Sequence, residues 1–245
     1  MKKIIIVSLL WGFFIPFVFS QNEEHTGGPY LKRIEYNLIM FDDVYNIKSK
    51  GDIEKQFFGD FNAPIEFFYS PSFEGASGFR IVKDSMGVYI LELKYVSNYN
   101  EAQKESSDKY PSIGIPVTII TSLPEDIKQL VIEHNKNQYP KYFEEMPKLF
   151  KVETLSFPVS DQFAVKLYEK TVAFIYNFKS KGIQRTILDG YSVTFRTVVE
   201  NEVWSLKIHM PKGDALKMSD ICRQIITDAG TKKLDEQKYI NLLDF

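Results

Sequence analysis

The chain has 245 residues, of which 44% are hydrophobic and 15% aromatic, enough apolar material for a packed core and too much for a disordered chain. Its 30 Lys and Arg are balanced by 32 Asp and Glu, so it lacks the basic excess that a nucleic-acid partner selects. A single cysteine, Cys222, excludes an internal disulfide.

Residues 1–20 open with Lys2 and Lys3, continue as an apolar run from Ile4 to Phe19, and carry Val18 and Ser20 at the −3 and −1 places of a cleavage site. That pattern is the one expected of a secretory signal peptide. A retained anchor is disfavoured, because the run is barely long enough to span a bilayer and contains Gly12 and Pro16. Cleavage after Ser20 removes Lys2 and Lys3, leaving 28 positive and 32 negative side chains, a net charge of −4. The expected location is the periplasm or the cell exterior, with no transmembrane segment after signal removal. Residues 21–29, polar and holding Gly27-Gly28-Pro29, read as a flexible leader.

Alternation of Ile34, Tyr36, Leu38 and Met40 predicts a strand over 31–41, and Asp52 is placed to cap a short helix to Phe58. The aromatic run Phe67, Phe68, Tyr69 and Phe73, punctuated by Pro64, Pro71, Gly75 and Gly78, reads as a strand and a loop. A hairpin follows from Phe79 to Val96. Closed by Ser85-Met86-Gly87 with Gly87 left-handed, it sets Phe79 opposite Leu93, Ile81 opposite Leu91 and Arg80 opposite Glu92.

The polar stretch Asn98 to Tyr110 marks either an exposed helix or a boundary between two halves. Ile115 to Thr121 is rich in β-branched residues and predicts a strand. Ser122-Leu123-Pro124-Glu125 then has the form of a capping box for a helix to about Asn137. Ile127, Leu130, Val131 and His134 share one face of that helix, which is expected to be buried, with His134 a lone packing residue rather than a metal ligand. A short segment over 141–146 precedes a strand from Lys151 to Phe157. Ser160 caps the longest helix, expected to reach Lys181 with Gly182 at C′. Its stripe of Phe163, Leu167, Phe174 and Phe178 marks it as central.

The clearest pattern lies between Asp189 and Gly230. Asp189-Gly190 is a turn signal that suggests a further strand over 184–188. Tyr191, Val193, Phe195 and Thr197 alternate with polar residues, as do Trp204, Leu206, Ile208 and Met210. A tight turn at Glu200-Asn201 sets Thr197 opposite Trp204, Phe195 opposite Leu206 and Val193 opposite Ile208, because a slip by one residue would oppose Lys207 and His209 to the apolar set. Asp214 is placed to cap a helix with the buried stripe Met218, Ile221, Cys222, Ile225 and Ala229, and Gly230 is its expected C′ residue. Residues 235–245 predict one more amphipathic turn through Tyr239, Leu242 and Leu243.

These elements predict an α+β fold in which antiparallel hairpins, arranged as a meander, pack against two or three amphipathic helices. The division is an N-terminal half over 30–110 and a C-terminal half over 111–245, or one domain made of both. Phe79-Arg80 and Val82 echo Phe195-Arg196 and Val198, which raises a duplication as one account of two similar halves.

No cofactor, metal or catalytic motif is present. The phosphate-binding loop, G-x-S-x-G, H-E-x-x-H and the EF-hand loop are absent, and Gly75-Ala76-Ser77-Gly78 is one residue short of a nucleophile elbow. The histidines, His25, His134 and His209, are scattered. The candidate binding surface is the polar face of the second hairpin, made of Ser192, Thr194, Arg196, Ser205, Lys207 and His209. Such faces are ordinarily solvated. Two cations and an imidazole there suit an anionic group, with Arg196→Ala then expected to weaken binding and leave the Tm unchanged. The functional expectation is an exported, non-catalytic binding protein of the bacterial envelope whose partner is an envelope or host macromolecule or a glycan. The alternatives are an exported hydrolase whose site converges from separate segments, and self-assembly. N-terminal sequencing of the exported protein is expected to begin at Gln21 or its cyclised form; an intact Met1 in the membrane fraction overturns the export reading.

Overall fold

A sheet is built outward from the hairpin between Tyr191 and His209. The computed structural model describes residues 31–33, 52–59, 63–178, 189–200 and 202–245. The expected signal peptide and leader, the strand expected over 31–41 beyond Arg33, the strand expected over 184–188, Gly182 and His25 lie outside the described residues. Strands β6 (Tyr191–Val199) and β7 (Glu202–His209) pair in the expected register, with Val193 against Ile208, Phe195 against Leu206 and Thr197 against Trp204. Gly190 takes φ +111, the conformation that the Asp189-Gly190 turn requires.

Strand β2 (Ile65–Pro71) lies beside β6 and carries the sheet on to β3 (Ser77–Lys83), β4 (Tyr89–Val96) and β5 (Val152–Pro158). At the other end β1 (Leu31–Arg33) joins β7 in parallel, so the seven strands run β1-β7-β6-β2-β3-β4-β5 and every other pairing is antiparallel. The hairpin β3–β4 has the register argued from sequence, with Gly87 at φ +84. The fold is α+β, and strands from 30–110 and 111–245 lie in one sheet, since β2 is flanked by β3 and β6. The echo between the hairpins does not extend to their pairing. Phe79 faces Leu93, fourteen positions on, whereas Phe195 faces Leu206, eleven positions on, because the loop after Val199 is shorter than the loop after Lys83.

One face of the sheet packs against α5 (Asp161–Asn177), α6 (Asp214–Gly230) and α7 (Glu236–Leu242). Phe67 is central there, its ring 5.1 Å from Phe195 and 5.8 Å from Phe79. Phe163, Leu167, Met218, Ile221, Cys222 and Ile225 close over it. The opposite face carries a smaller cluster of Phe57, Phe58, Phe68, Ala76 and Val96, brought down by α1 (Asp52–Phe57). Gly78 permits this second layer: a Cβ there would meet the Phe67 carbonyl at 2.6 Å and the Phe58 ring at 3.1 Å.

The helix ends differ from their expected positions in informative ways. Ser160 caps α5 by accepting from the Phe163 N–H at 3.2 Å, but the helix stops at Asn177, where Phe178 turns extended and packs against the core. Gly213, at φ 58, takes the N-cap place of α6, and Asp214 falls in the first turn beside the helix dipole. Gly230 is the last helical residue, and Lys232, at φ 58, is the left-handed one. In α7 the buried residues are Tyr239 and Ile240, followed by Leu243, while Leu242 faces water.

The larger corrections fall between Ile113 and Glu145. Ile115 to Thr121 is not a strand: Val117–Ile120 forms a short helix, α3, off the sheet, where β-branched residues find no neighbouring strand to pair with. The capping box does not form. Ser122 Oγ donates to the Ile119 carbonyl at 2.8 Å, Glu125 pairs with Lys128 at 3.2 Å, and Pro124 is the N-cap of α4 (Glu125–Glu145). That helix continues past Asn137, through Pro140 and over 141–145. Pro140 removes one hydrogen bond from the exposed residue Lys136, four positions earlier, without ending the helix. None of α4 is buried, and Ile127 and Leu130 are 40% and 62% exposed, so the face expected to be internal is not.

Burial pushes the Cys222 thiol well above its ordinary range. Cys222 is therefore expected to resist thiol reagents until denaturation, and Ile225→Ala is expected to cost about 2–5 kcal/mol. Rapid native labelling, or a loss below about 1 kcal/mol in urea unfolding, contradicts the packing of α6.

Candidate functional site

The predicted polar face exists, but half of it is internal. Register aligns Ser205, Arg196, Glu66, Arg80 and Glu92 on adjacent strands, so charges of alternating sign cross the sheet. Over this row lies α1, which contributes Glu54. Arg196 Nη1 donates to Glu66 at 2.5 Å, its Nη2 donates to Glu54 at 3.0 Å, and the Thr194 hydroxyl donates to Glu54 at 3.3 Å. Arg80 Nε donates to Glu92 at 2.6 Å. Burial opposes the Arg196 charge, and the two carboxylates more than offset it, holding the guanidinium protonated above its ordinary value.

Thr194, Arg196 and Ser205 are consequently buried, which corrects the expectation of a solvated sheet face. The Arg196 fork is occupied by protein carboxylates. Ser192, Lys207 and His209 are half-buried. Ser192 Oγ lies 3.1 Å from His209 Nδ1, the separation of a nucleophile and its base. His209 Nε2, however, is buried with no hydrogen-bond partner, where a triad would supply an orienting carboxylate. His134 is on a distant element, its Nε2 2.8 Å from the Pro111 carbonyl. Among the described residues no group of three His, Cys, Asp or Glu is placed to hold a metal ion.

A more open arrangement lies on the other side of the sheet. A groove of about 410 Å³ runs between α6 and the end of β2 and β3, lined by Tyr69, Glu74, Ser77, Asp220, Arg223, Gln224, Ile226 and Thr227. Asp220, Arg223, Gln224 and Thr227 stand at i, i+3, i+4 and i+7, a polar stripe alongside the buried one. Strands β2 and β6 bring Tyr69 and Tyr191 together, ring centroids 5.3 Å apart. The Arg223 guanidinium sits over both rings, 4.7 Å from Tyr69 and 5.0 Å from Tyr191, and its Nη1 donates to Asp220 at 3.3 Å. Arg223 is thereby held as a rigid cation rather than a mobile one. Burial raises the Tyr69 pKa, more than the nearby Arg223 lowers it, so its phenol stays neutral and can donate.

None of these lining residues was singled out from sequence. The polar stripe of α6 was a readable signal, but its partners Tyr69 and Glu74 are distant in the chain and reach it only through the β2–β6 pairing. No family model, curated protein or solved structure matches the chain.

Replacing Arg196 by Met removes the cation that Glu54 and Glu66 share in a buried layer and is expected to cost about 3–5 kcal/mol in urea unfolding. This reverses the expectation of an unchanged Tm; a loss below about 1 kcal/mol contradicts the buried cluster.

Proposed function

We propose that this is an exported binding protein of the cell envelope and that the groove beside α6 holds a hydroxyl-rich ligand, a glycan or the glycan part of a larger partner. The observation that carries the reading is the convergence of Tyr69, Glu74, Ser77, Asp220, Arg223, Gln224 and Thr227 on one cavity of about 410 Å³. Ligand sites combine a concave shape with a few placed polar groups. Here the polar groups are of mixed kind: two carboxylates and an amide oxygen accept, whereas a guanidinium, a phenol and hydroxyls donate.

A sugar presents hydroxyls that both donate and accept, and such a mixed lining answers both. A simple anion would instead meet Glu74 and Asp220, and a simple cation would meet Arg223. Arg223 is already oriented by Tyr69, Tyr191 and Asp220, so ligand binding need not freeze it. Export rests on the basic, apolar and small-residue pattern of residues 1–20.

The test is calorimetric titration of the chain from Gln21 to Phe245 with neutral, acidic and amino-sugar oligosaccharides. At least one class is expected to bind, with Arg223→Ala and Glu74→Gln each weakening it by about tenfold or more, about 1.4 kcal/mol, and with far-UV circular dichroism unchanged. Absence of binding across the panel, or affinity that survives both substitutions, overturns the reading.

A further inference from the structure

On its helical side the sheet ends in a shelf. The row Phe67, Phe79, Leu93 and Leu155, one residue from each of β2, β3, β4 and β5, belongs to the core. Two residues away on every strand, the register lines up Tyr69, Ser77, Tyr95 and Glu153. Directly opposed residues on neighbouring strands point to the same side of a sheet, so these four side chains stand together. Every one of them carries a polar atom and none is fully buried; Glu153, on the edge strand, is exposed. Beyond the row β4 turns into α2 (Tyr99–Lys109), and Tyr99 Oη donates to the Ser72 carbonyl at 3.2 Å, which ties down the loop that carries Glu74.

Tyr69 and Ser77 line the groove beside α6, and Tyr95 and Glu153 prolong the row to the edge of the sheet. Helix α6 forms the wall. Its Arg223, Gln224 and Thr227 border the groove, and a Cβ at Gly230 would lie 3.6 Å from the Leu93 side chain, so the helix accompanies the row from β2 to β4. Strands lie about 4.8 Å apart, so the three steps from Tyr69 to Glu153 cover roughly 14 Å, more than a single sugar ring occupies. The outer end is already oriented. Tyr95 Oη donates to Glu153 at 2.6 Å, which holds the phenol above its ordinary pKa and, together with Ser97, the carboxylate below its own. The carboxylate keeps acceptor positions for a ligand hydroxyl.

Charge along this track is mixed. Glu74, Asp220 and Glu153 are negative, Arg223 is positive, and Lys151 lies two residues from Glu153. Arg80 and Lys94 take no part, since both approach the Phe58 ring on the opposite face. A polyanion would meet carboxylates at both ends of the track, and a polycation would meet Arg223. Resting on the glycan reading of the groove, we infer that the site continues along this row and takes an uncharged linear oligosaccharide of several units. Its inner units sit in the groove against Arg223 and Tyr69, and its outer units lie on Tyr95 with hydroxyls toward Glu153. Such a chain repeats hydroxyls along its length, as the row repeats hydroxyl and carboxylate groups along its own.

Calorimetric titration tests this with the chain from Gln21 to Phe245 and with ladders of glucose, mannose and N-acetylglucosamine oligomers, from monosaccharide to hexasaccharide. In at least one ladder, affinity is expected to rise by about tenfold or more from disaccharide to hexasaccharide. Tyr95→Phe with Glu153→Gln is expected to weaken hexasaccharide binding by about tenfold, the loss that two hydrogen-bonding groups imply, and to leave the disaccharide affinity and the Tm unchanged. Arg223→Ala is expected to weaken both lengths. Should the double variant lower the Tm, Glu153→Gln alone, at an exposed edge position, reads the same selective loss. Affinity that is flat with chain length, or a rise that survives these substitutions, overturns the inference and leaves the glycan reading of the groove standing. Binding confined to acidic or amino-sugar oligomers does the same. Silence of every oligosaccharide overturns both.

Discussion

Arg196 is the group that the two-layered architecture depends on. It lies near the middle of the sheet, buried, with Glu66 on the next strand and Glu54 on the helix above. Burying that guanidinium requires carboxylates beside it, and α1 adds Glu54 to Glu66, which β2 supplies. The same descent of α1 places Phe57 edge-to-face against Phe68, ring centroids 5.5 Å apart, with Phe58 edge-to-face on Phe57 at 5.8 Å. The ion cluster adds little net stability by itself, because desolvation offsets most of the attraction. What it supplies is direction: α1 meets the sheet through Glu54 at Arg196 and Phe57 at Phe68.

This explains why the sheet is two-sided. On the helical side, burial of aromatic and aliphatic residues around Phe67 supplies the stabilisation, and α5, α6 and α7 each contribute a stripe. On the α1 side the layer is thinner and half polar. Arg80, paired with Glu92, lies within 5.9 Å of the Phe58 ring, and Lys94 reaches the same ring at 5.8 Å, so the apolar cluster is fringed by cations. The boundary between apolar and charged residues on this face follows the strand register, since each rung changes chemistry as one crosses the sheet.

The groove beside α6 and the α3–α4 excursion differ in the same terms. The groove beside α6 is concave and polar, with Arg223 fixed by two tyrosines and an aspartate, conditions that favour directional recognition. The α3–α4 excursion is held by backbone contacts, with Asn135 on both polar groups of Ile113, and leaves Ile113, Ile127 and Leu130 exposed among charged neighbours.

Local pattern determined what depends on local physics. The registers of β3–β4 and β6–β7 followed from period-two alternation and turn residues, because a slip by one position inverts every side chain. Ser160 as a cap and the buried stripe around Cys222 followed from helical spacing. Tertiary structure decided whatever depends on which surface meets which. Nothing in Ser192, Thr194, Arg196 and their neighbours records that a helix some 140 positions earlier covers them, and so a row that reads as solvated is internal. Ile127 and Leu130 have helical spacing that reads as buried, yet they stay exposed among the described residues, since amphipathicity reports that a face wants a partner and not which element meets it. The groove combines both cases: its α6 stripe is periodic and readable, while Tyr69 and Glu74 are brought to it by strand pairing that only the folded sheet specifies.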